Sequence, residues 1–284
     1  MYKVLILSAD AGFGHRSAAI AIQEAIKIRY SPDIYSEIIN PLDEKLVPNF
    51  LRDSQSDYDK WVREVPELYR FGYQASDGVV TSTIMESVLT VLLYEALKKI
   101  IFDFLPQFIV TTYPLYQAPL NAVLAVNNLT IPVMTVLTDI STLHRIWFNT
   151  DVDNFVVPNS YVKDLAISYG IDAQKILNLG IPVHPKIALL TQSKEQLRKE
   201  LGWEAGKITI LAVGSKRVEH FMGMLDILNH SGHQIQLVIV AGKDQELFKD
   251  LQKTEWHQKT IIYEFVDEMP GFLKAVACIS FKRL

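Results

Sequence analysis

Gly12-Phe13-Gly14-His15-Arg16 places an imidazole and a guanidinium directly after two closely spaced glycines. An imidazole changes charge near neutral pH, so His15 has the chemistry of a general base. Glycines at 12 and 14 permit a tight turn and close approach of another group to the backbone. The unpaired N–H groups of a helix starting there favour an anion. Two other turns carry reactive types: Thr138-Asp139-Ile140-Ser141-Thr142-Leu143-His144 and Gly214-Ser215-Lys216-Arg217. The first offers a carboxylate and a second imidazole, the second a pair of cations for a departing phosphate. A phosphate loop would need Gly-Lys-Ser/Thr after the glycines, which is absent. A dinucleotide fingerprint would need a third glycine where Ser17 stands, with Glu37 as the ribose acid, and that reading stays open.

The elements around these turns alternate. Tyr2 to Leu7 reads as a strand buried on both faces, and the helical spacing of Ala18, Ala19, Ile22, Ala25 and Ile26 begins a helix from Arg16. Further strands are expected over 34–39, 108–112, 132–137, 154–157 and 176–179, with helices over 83–102, 115–126 and 161–169. Gly180-Ile181-Pro182-Val183-His184-Pro185 reads as a domain boundary. Beyond it come a helix over 193–201, capped by Ser193, a strand over 207–213 and a helix over 219–229. Strand, helix, strand, helix then follow over 234–241, 245–253, 260–265 and 269–277, with 278–281 starting a further strand. Strands alternating with helices twice over predict an α/β protein of two doubly wound Rossmann-like domains, 1–182 and 183–284. In each, ligands are expected outside the carboxyl ends of the strands, where the three turns lie. The first strand of the second domain is expected between the second and the fourth.

A chain of 284 residues with 49% hydrophobic and 21% charged residues has ample material for two cores. Its net charge of −4 argues against a dedicated nucleic-acid partner. The lone Cys278 excludes an internal disulfide and a cysteine-based zinc cluster, and the carboxylates show no metal-ligand spacing, so no metal is expected. The most apolar stretch, 84–110, is broken by Glu86, Glu95, Lys98, Lys99 and Asp103, too often for a spanning helix. Residues 42–78 differ from the rest, with Phe50, Leu51, Trp61, Tyr69 and Phe71 set among Arg52, Lys60, Arg63 and Arg70. Short helices are expected over 57–65 and 67–75. The segment suits either a membrane-surface contact or a cover over the first sheet.

In order along the chain, Gly12-Phe13-Gly14-His15-Arg16-Ser17-Ala18, Pro106 to Leu115, Thr138-Asp139 with His144 and Trp147-Phe148, and Gly180 to Pro185 resemble four signatures of one family. It is the monogalactosyldiacylglycerol synthase and diacylglycerol glucosyltransferase family, and the resemblance runs from Val4 to about Ala277. Tyr113 stands where many members carry histidine, and His184 where an arginine or other polar residue is common. The resemblance implies the GT-B architecture, an N-terminal domain that receives a lipid acceptor and a C-terminal domain that binds a UDP-sugar. It implies transfer of galactose or glucose from UDP-galactose or UDP-glucose to diacylglycerol, without a cofactor, by a cytoplasmic enzyme held peripherally at the membrane through 42–78. His15 would be the catalytic base. Gly12, Phe13, Gly14, Arg16, Asp139 and His144 would contact substrate, and Gly214, Ser215 and Lys216 the donor. Family members continue past the 269–277 helix into a glycine-rich donor segment. The expectation is therefore of an incomplete second domain, no tight UDP-sugar binding and no transfer by this chain.

Each residue also has a plainer reading. Asp139 and His144 could cap a turn, Lys216 and Arg217 could be a solvated pair, and Trp147-Phe148 belongs to a core. Three other functions stay open: transfer to a polyprenyl-linked cell-wall precursor, a non-catalytic remnant, and an NAD-dependent oxidoreductase.

Overall fold

The computed structural model describes residues 1–10, 13–53, 78–140, 143–214, 220–276 and 278–280. The chain forms two compact units, Met1–Pro185 and Lys186–Leu284.

In the first unit, β1 (Tyr2–Leu7), β2 (Ile34–Ile39), β3 (Phe108–Thr111), β4 (Val133–Val136), β5 (Asn154–Val157) and β6 (Ile176–Asn178) form one sheet. Its order is β2-β1-β3-β4-β5-β6, and every pairing is parallel. Parallel strands require crossovers, supplied by α1 (Phe13–Tyr30), α2 (Val79–Phe104), α3 (Gln117–Val126) and α4 (Ser160–Ser168). The apolar run Val4–Leu7 of β1 is explained by burial on both faces. Leu5 and Leu7 join α2 and α3 in one core cluster, while Val4 and Ile6 join Ala19 of α1 in another. Alternate residues of a strand point to opposite faces, so the run of four from Val4 to Leu7 supplies both layers.

Three boundaries depart from the sequence expectation. Helix α1 begins at Phe13 rather than Arg16, which puts Gly14 and His15 in its first turn. Periodicity missed that turn because Gly14, His15 and Arg16 carry no aliphatic side chain to mark a helix face. Helix α2 starts at 79 and runs to 104, where Leu105 takes a left-handed conformation (φ 55°) and caps it on Ile101 O, just before Pro106. The 115–126 helix opens with a separate 3-10 turn, Pro114–Tyr116. Tyr113, placed before a proline, is extended, as the proline ring demands.

The second unit contains α5 (Lys186–Leu189), α6 (Lys194–Glu200), β7 (Ile208–Val213), α7 (Phe221–Asn229), β8 (Ile235–Val240), α8 (Gln245–Lys253), β9 (Lys259–Tyr263), α9 (Met269–Ala275) and β10 (Cys278–Ser280). Its parallel sheet has the order β10-β7-β8-β9, so β7 lies between β8 and β10 as expected. Helix α6 starts with a reciprocal capping box between Ser193 and Gln196. The short helix α5 was not legible, because two prolines and a glycine next to it read only as a boundary. Among the described residues, no helix is long and apolar enough to cross a membrane.

Candidate active site

The carboxyl ends of β1, β3 and β4 bring Ser8, Thr112 and Thr138 to the start of α1. The Thr112 hydroxyl is 3.0 Å from Ser8 Oγ and 3.1 Å from the backbone oxygen of His15, fastening the first helical turn to two strand ends. His15 Nδ1 lies 2.9 Å from the Thr112 carbonyl and 2.8 Å from Thr138 Oγ1. A carbonyl can only accept, so Nδ1 carries the hydrogen and the lone pair of the neutral ring is on Nε2. Nε2 is then the atom able to take a proton from a substrate.

Two aromatic rings pack against this imidazole. Tyr113 meets it edge-on, with centroids 5.0 Å apart, and Trp147 lies 5.9 Å away. Burial holds the His15 pKa below its usual 6.5, while the nearby Asp139 charge and the Thr112 carbonyl pull it upward without prevailing. The ring is therefore neutral at pH 7, in the base form.

Asp139 is not a bare carboxylate. Its Oδ2 accepts a 2.7 Å hydrogen bond from the Trp147 indole N–H. Trp147 is a core residue, as read, and is also the donor that orients this acid. His144 is buried, and its Nδ1 accepts from Ile146 N at 3.1 Å, which caps the 3-10 turn Arg145–Trp147. The capping reading of His144 describes that nitrogen. Asp139→Asn removes a charge that favours the imidazolium, so the His15 pKa is expected to fall further. Histidine proton shifts followed through a pH titration would show it, and an unchanged midpoint would mean that the charge does not act on His15.

The remaining candidates are placed less uniformly. A Cβ built on Gly14 would meet no heavy atom within 4 Å among the described residues, so the helix start is open there. Arg16 Nε is 3.8 Å from Asp10 Oδ1 in a solvent-accessible pair, worth little as a bond but leaving a cation at the mouth. Gly12 and the side chain of Phe13 lie outside the described residues. Gly214 follows β7 and donates its N–H to Val240 O at 2.7 Å. A Cβ there would meet Leu247 Cδ2 at 2.7 Å and Phe221 Cε1 at 2.9 Å, so a larger residue would have to push these side chains aside. Ser215, Lys216 and Arg217 lie outside the described residues, as do the helices expected over 57–65 and 67–75. Glu37 is in the middle of the edge strand β2, where it pairs with Leu5 in register and accepts from the Tyr35 hydroxyl at 3.0 Å. Among the described residues, no group of three His, Cys, Asp or Glu side chains is arranged to hold a metal ion.

Sequence reasoning quoted Thr138 within the Thr138-Asp139 signature but gave it no role, and it did not single out Thr112 or Gln117. Thr112 and Thr138 act through strand ends far apart in the chain. Gln117, 1% exposed, could be flagged only as a buried polar residue once the helix face was known.

The family described as Monogalactosyldiacylglycerol (MGDG) synthase matches residues 15–183. Monogalactosyldiacylglycerol synthase 2, chloroplastic, from Arabidopsis thaliana is 26% identical over 99% of this chain and 62% of its own length. Monogalactosyldiacylglycerol synthase 3, chloroplastic, from the same plant is 29% identical over 98% of this chain and 62% of its own length. The chain thus spans about three fifths of the length of these curated relatives. Among solved structures, the lipopolysaccharide outer core galactosyltransferase WaaB superposes with a TM-score of 0.54 at 15% identity, covering 98% of this chain and 73% of that one. MurG from Acinetobacter baumannii does so with 0.52 at 8% identity, covering 98% and 71%. At such identities these likenesses speak for the fold alone, that of GT-B glycosyltransferases.

Proposed function

This chain belongs to the monogalactosyldiacylglycerol synthase family, and from that premise we propose that it transfers a hexose from a UDP-sugar to the hydroxyl of diacylglycerol. The observation that carries the proposal is His15. Its imidazole is held neutral by burial at the carboxyl ends of three strands, with Nδ1 committed to the Thr112 carbonyl and Nε2 left as the base. In the reaction, Nε2 takes the acceptor hydroxyl proton, the alkoxide oxygen forms the new bond to the anomeric carbon, and the bond to UDP breaks. The departing diphosphate needs positive potential, which the open start of α1 would offer. In the relatives' names the product is monogalactosyldiacylglycerol, which favours galactose over glucose.

The direct test incubates the chain with diacylglycerol vesicles and either radiolabelled UDP-galactose or UDP-glucose. Galactolipid formed from UDP-galactose is the result this reading expects, and it would set aside the expectation from sequence that this chain makes no transfer. Label appearing only in a polyprenyl-linked precursor supplied beside the vesicles would move the acceptor to that class. Absence of any labelled lipid would overturn the reading.

A diacylglycerol acceptor resides in a bilayer, so the proposal includes a membrane contact. Phe50 is 68% exposed, whereas Leu51 packs partly against the core beside Leu42 and Val47. Only the first is therefore available to lipid. Phe50→Ser is expected to weaken co-sedimentation with anionic vesicles, by up to about 2 kcal/mol if the ring is fully inserted. Leu51→Ser would instead lower stability. Undiminished vesicle binding by Phe50→Ser would leave this part of the 42–78 segment as a cover over the sheet.

A further inference from the structure

Gln117 opens α3 deep inside the first unit, and both ends of its amide are used. Its Oε1 accepts from the Thr135 hydroxyl on β4 at 3.0 Å. Its Nε2 faces the backbone oxygens of Trp147 at 3.0 Å and Ile146 at 3.2 Å. These are the last two residues of the 3-10 turn that His144 caps. The same turn sends the Trp147 indole N–H 2.7 Å to Asp139 Oδ2, three residues beyond β4. A closed path results, from β4 through Gln117 to the turn and back through the indole to the acid that follows β4.

We propose that Gln117 is a positioning residue, which holds the Trp147 turn from within the core and so fixes where the Asp139 carboxylate stands beside the His15 ring. The physical reason lies in the cost of alternatives. A buried amide with both ends satisfied is expensive to break, because freed carbonyls have no water to turn to. The turn therefore has one position, and a carboxylate bonded to its indole inherits that position. Released from Trp147, Asp139 is half-exposed and would turn toward solvent, away from the imidazole. Of the other ionisable groups around His15, Tyr113 precedes the Pro114–Tyr116 turn that runs into Gln117, whose Nε2 is also 3.5 Å from Pro114 O, so the Asp139→Asn background is needed to separate its effect. Tyr113 follows β3, and Asp10 with Arg16 lies at the β1–α1 turn.

This inference deepens the reading of His15 as the base, but its test measures protonation of His15 and not turnover, so either can fail without the other. The experiment follows the His15 ring proton by NMR through a pH titration of the full chain, with His15→Gln to assign the signal. Gln117→Met keeps volume and removes both hydrogen-bonding ends. Trp147→Phe cuts the path at the indole and serves if the first variant folds poorly. Both are expected to shift the His15 midpoint downward, in the direction of Asp139→Asn, and Gln117→Met by at least half as much. In an Asp139→Asn background neither should shift it further, since the charge being positioned is gone. Two results would overturn the proposal: an unmoved His15 midpoint in folded Gln117→Met and Trp147→Phe, or equal shifts with and without the Asp139 carboxylate.

Discussion

His15→Ala is expected to lower the rate of hexose transfer by ~10²–10⁴, the range lost when a positioned general base is removed. The loss should fall on kcat, because the proton leaves the acceptor hydroxyl in the transition state and not on binding. The pH profile provides a second signature. Burial depresses the His15 pKa, so the base form persists below pH 6.5 and the acid limb of kcat/KM should lie under that value. Asp139→Asn should move that limb to still lower pH, because it deletes the charge that favours protonation. His15→Gln retains a hydrogen-bonding side chain but no titratable nitrogen, and should be nearly as impaired as alanine. Near-full turnover by either variant would remove His15 from the chemistry and leave it as a helix-start residue.

The second large effect concerns the other unit and is structural. Arg198 on α6 is 3% exposed, yet its hydrogen bonds run to backbone oxygens. Nε donates to Ala275 O at 2.8 Å, and Nη1 reaches Ala205 O and Lys207 O, each at 2.9 Å. One planar cation thus ties α6, the approach to β7 and the end of α9. Arg198→Leu should destabilise this unit by about 3 kcal/mol. Stranded buried carbonyls cost about 1–3 kcal/mol each, while deleting a buried cation returns part of its desolvation penalty. Arg198→Lys should do little better, since an ammonium cannot present the same fork to carbonyls on separate elements. Hydrogen exchange reads the outcome by region: amides of β7 and α9 should lose protection while β1 and β3 keep theirs. Unchanged protection in β7 and α9 would show that the guanidinium contributes little there.

The fold was legible where local physics decides it. The apolar run of Tyr2–Leu7, the Ser193 capping box and the alternation of strand and helix specified two parallel α/β units, because strand burial and helix amphipathicity are written in adjacent residues. The order β10-β7-β8-β9 followed from the same alternation, since crossover handedness leaves few arrangements. His15 could be singled out as a candidate, because an imidazole after two glycines is unusual by type alone. The surroundings that support the proposed base role could not. Thr112 and Thr138 lie 97 and 123 residues away in the chain, and nothing local distinguishes a threonine at a strand end from any other. Trp147 reads as core by hydrophobicity, and its hydrogen bond to Asp139 comes from a turn that is also bonded by a buried glutamine 30 residues earlier. Sequence alone determined the strands and the longer helices and which residue types reach the strand ends. Tertiary packing decided which of them meet, because hydrogen bonds between distant elements depend on ångström-scale placement that no local pattern encodes.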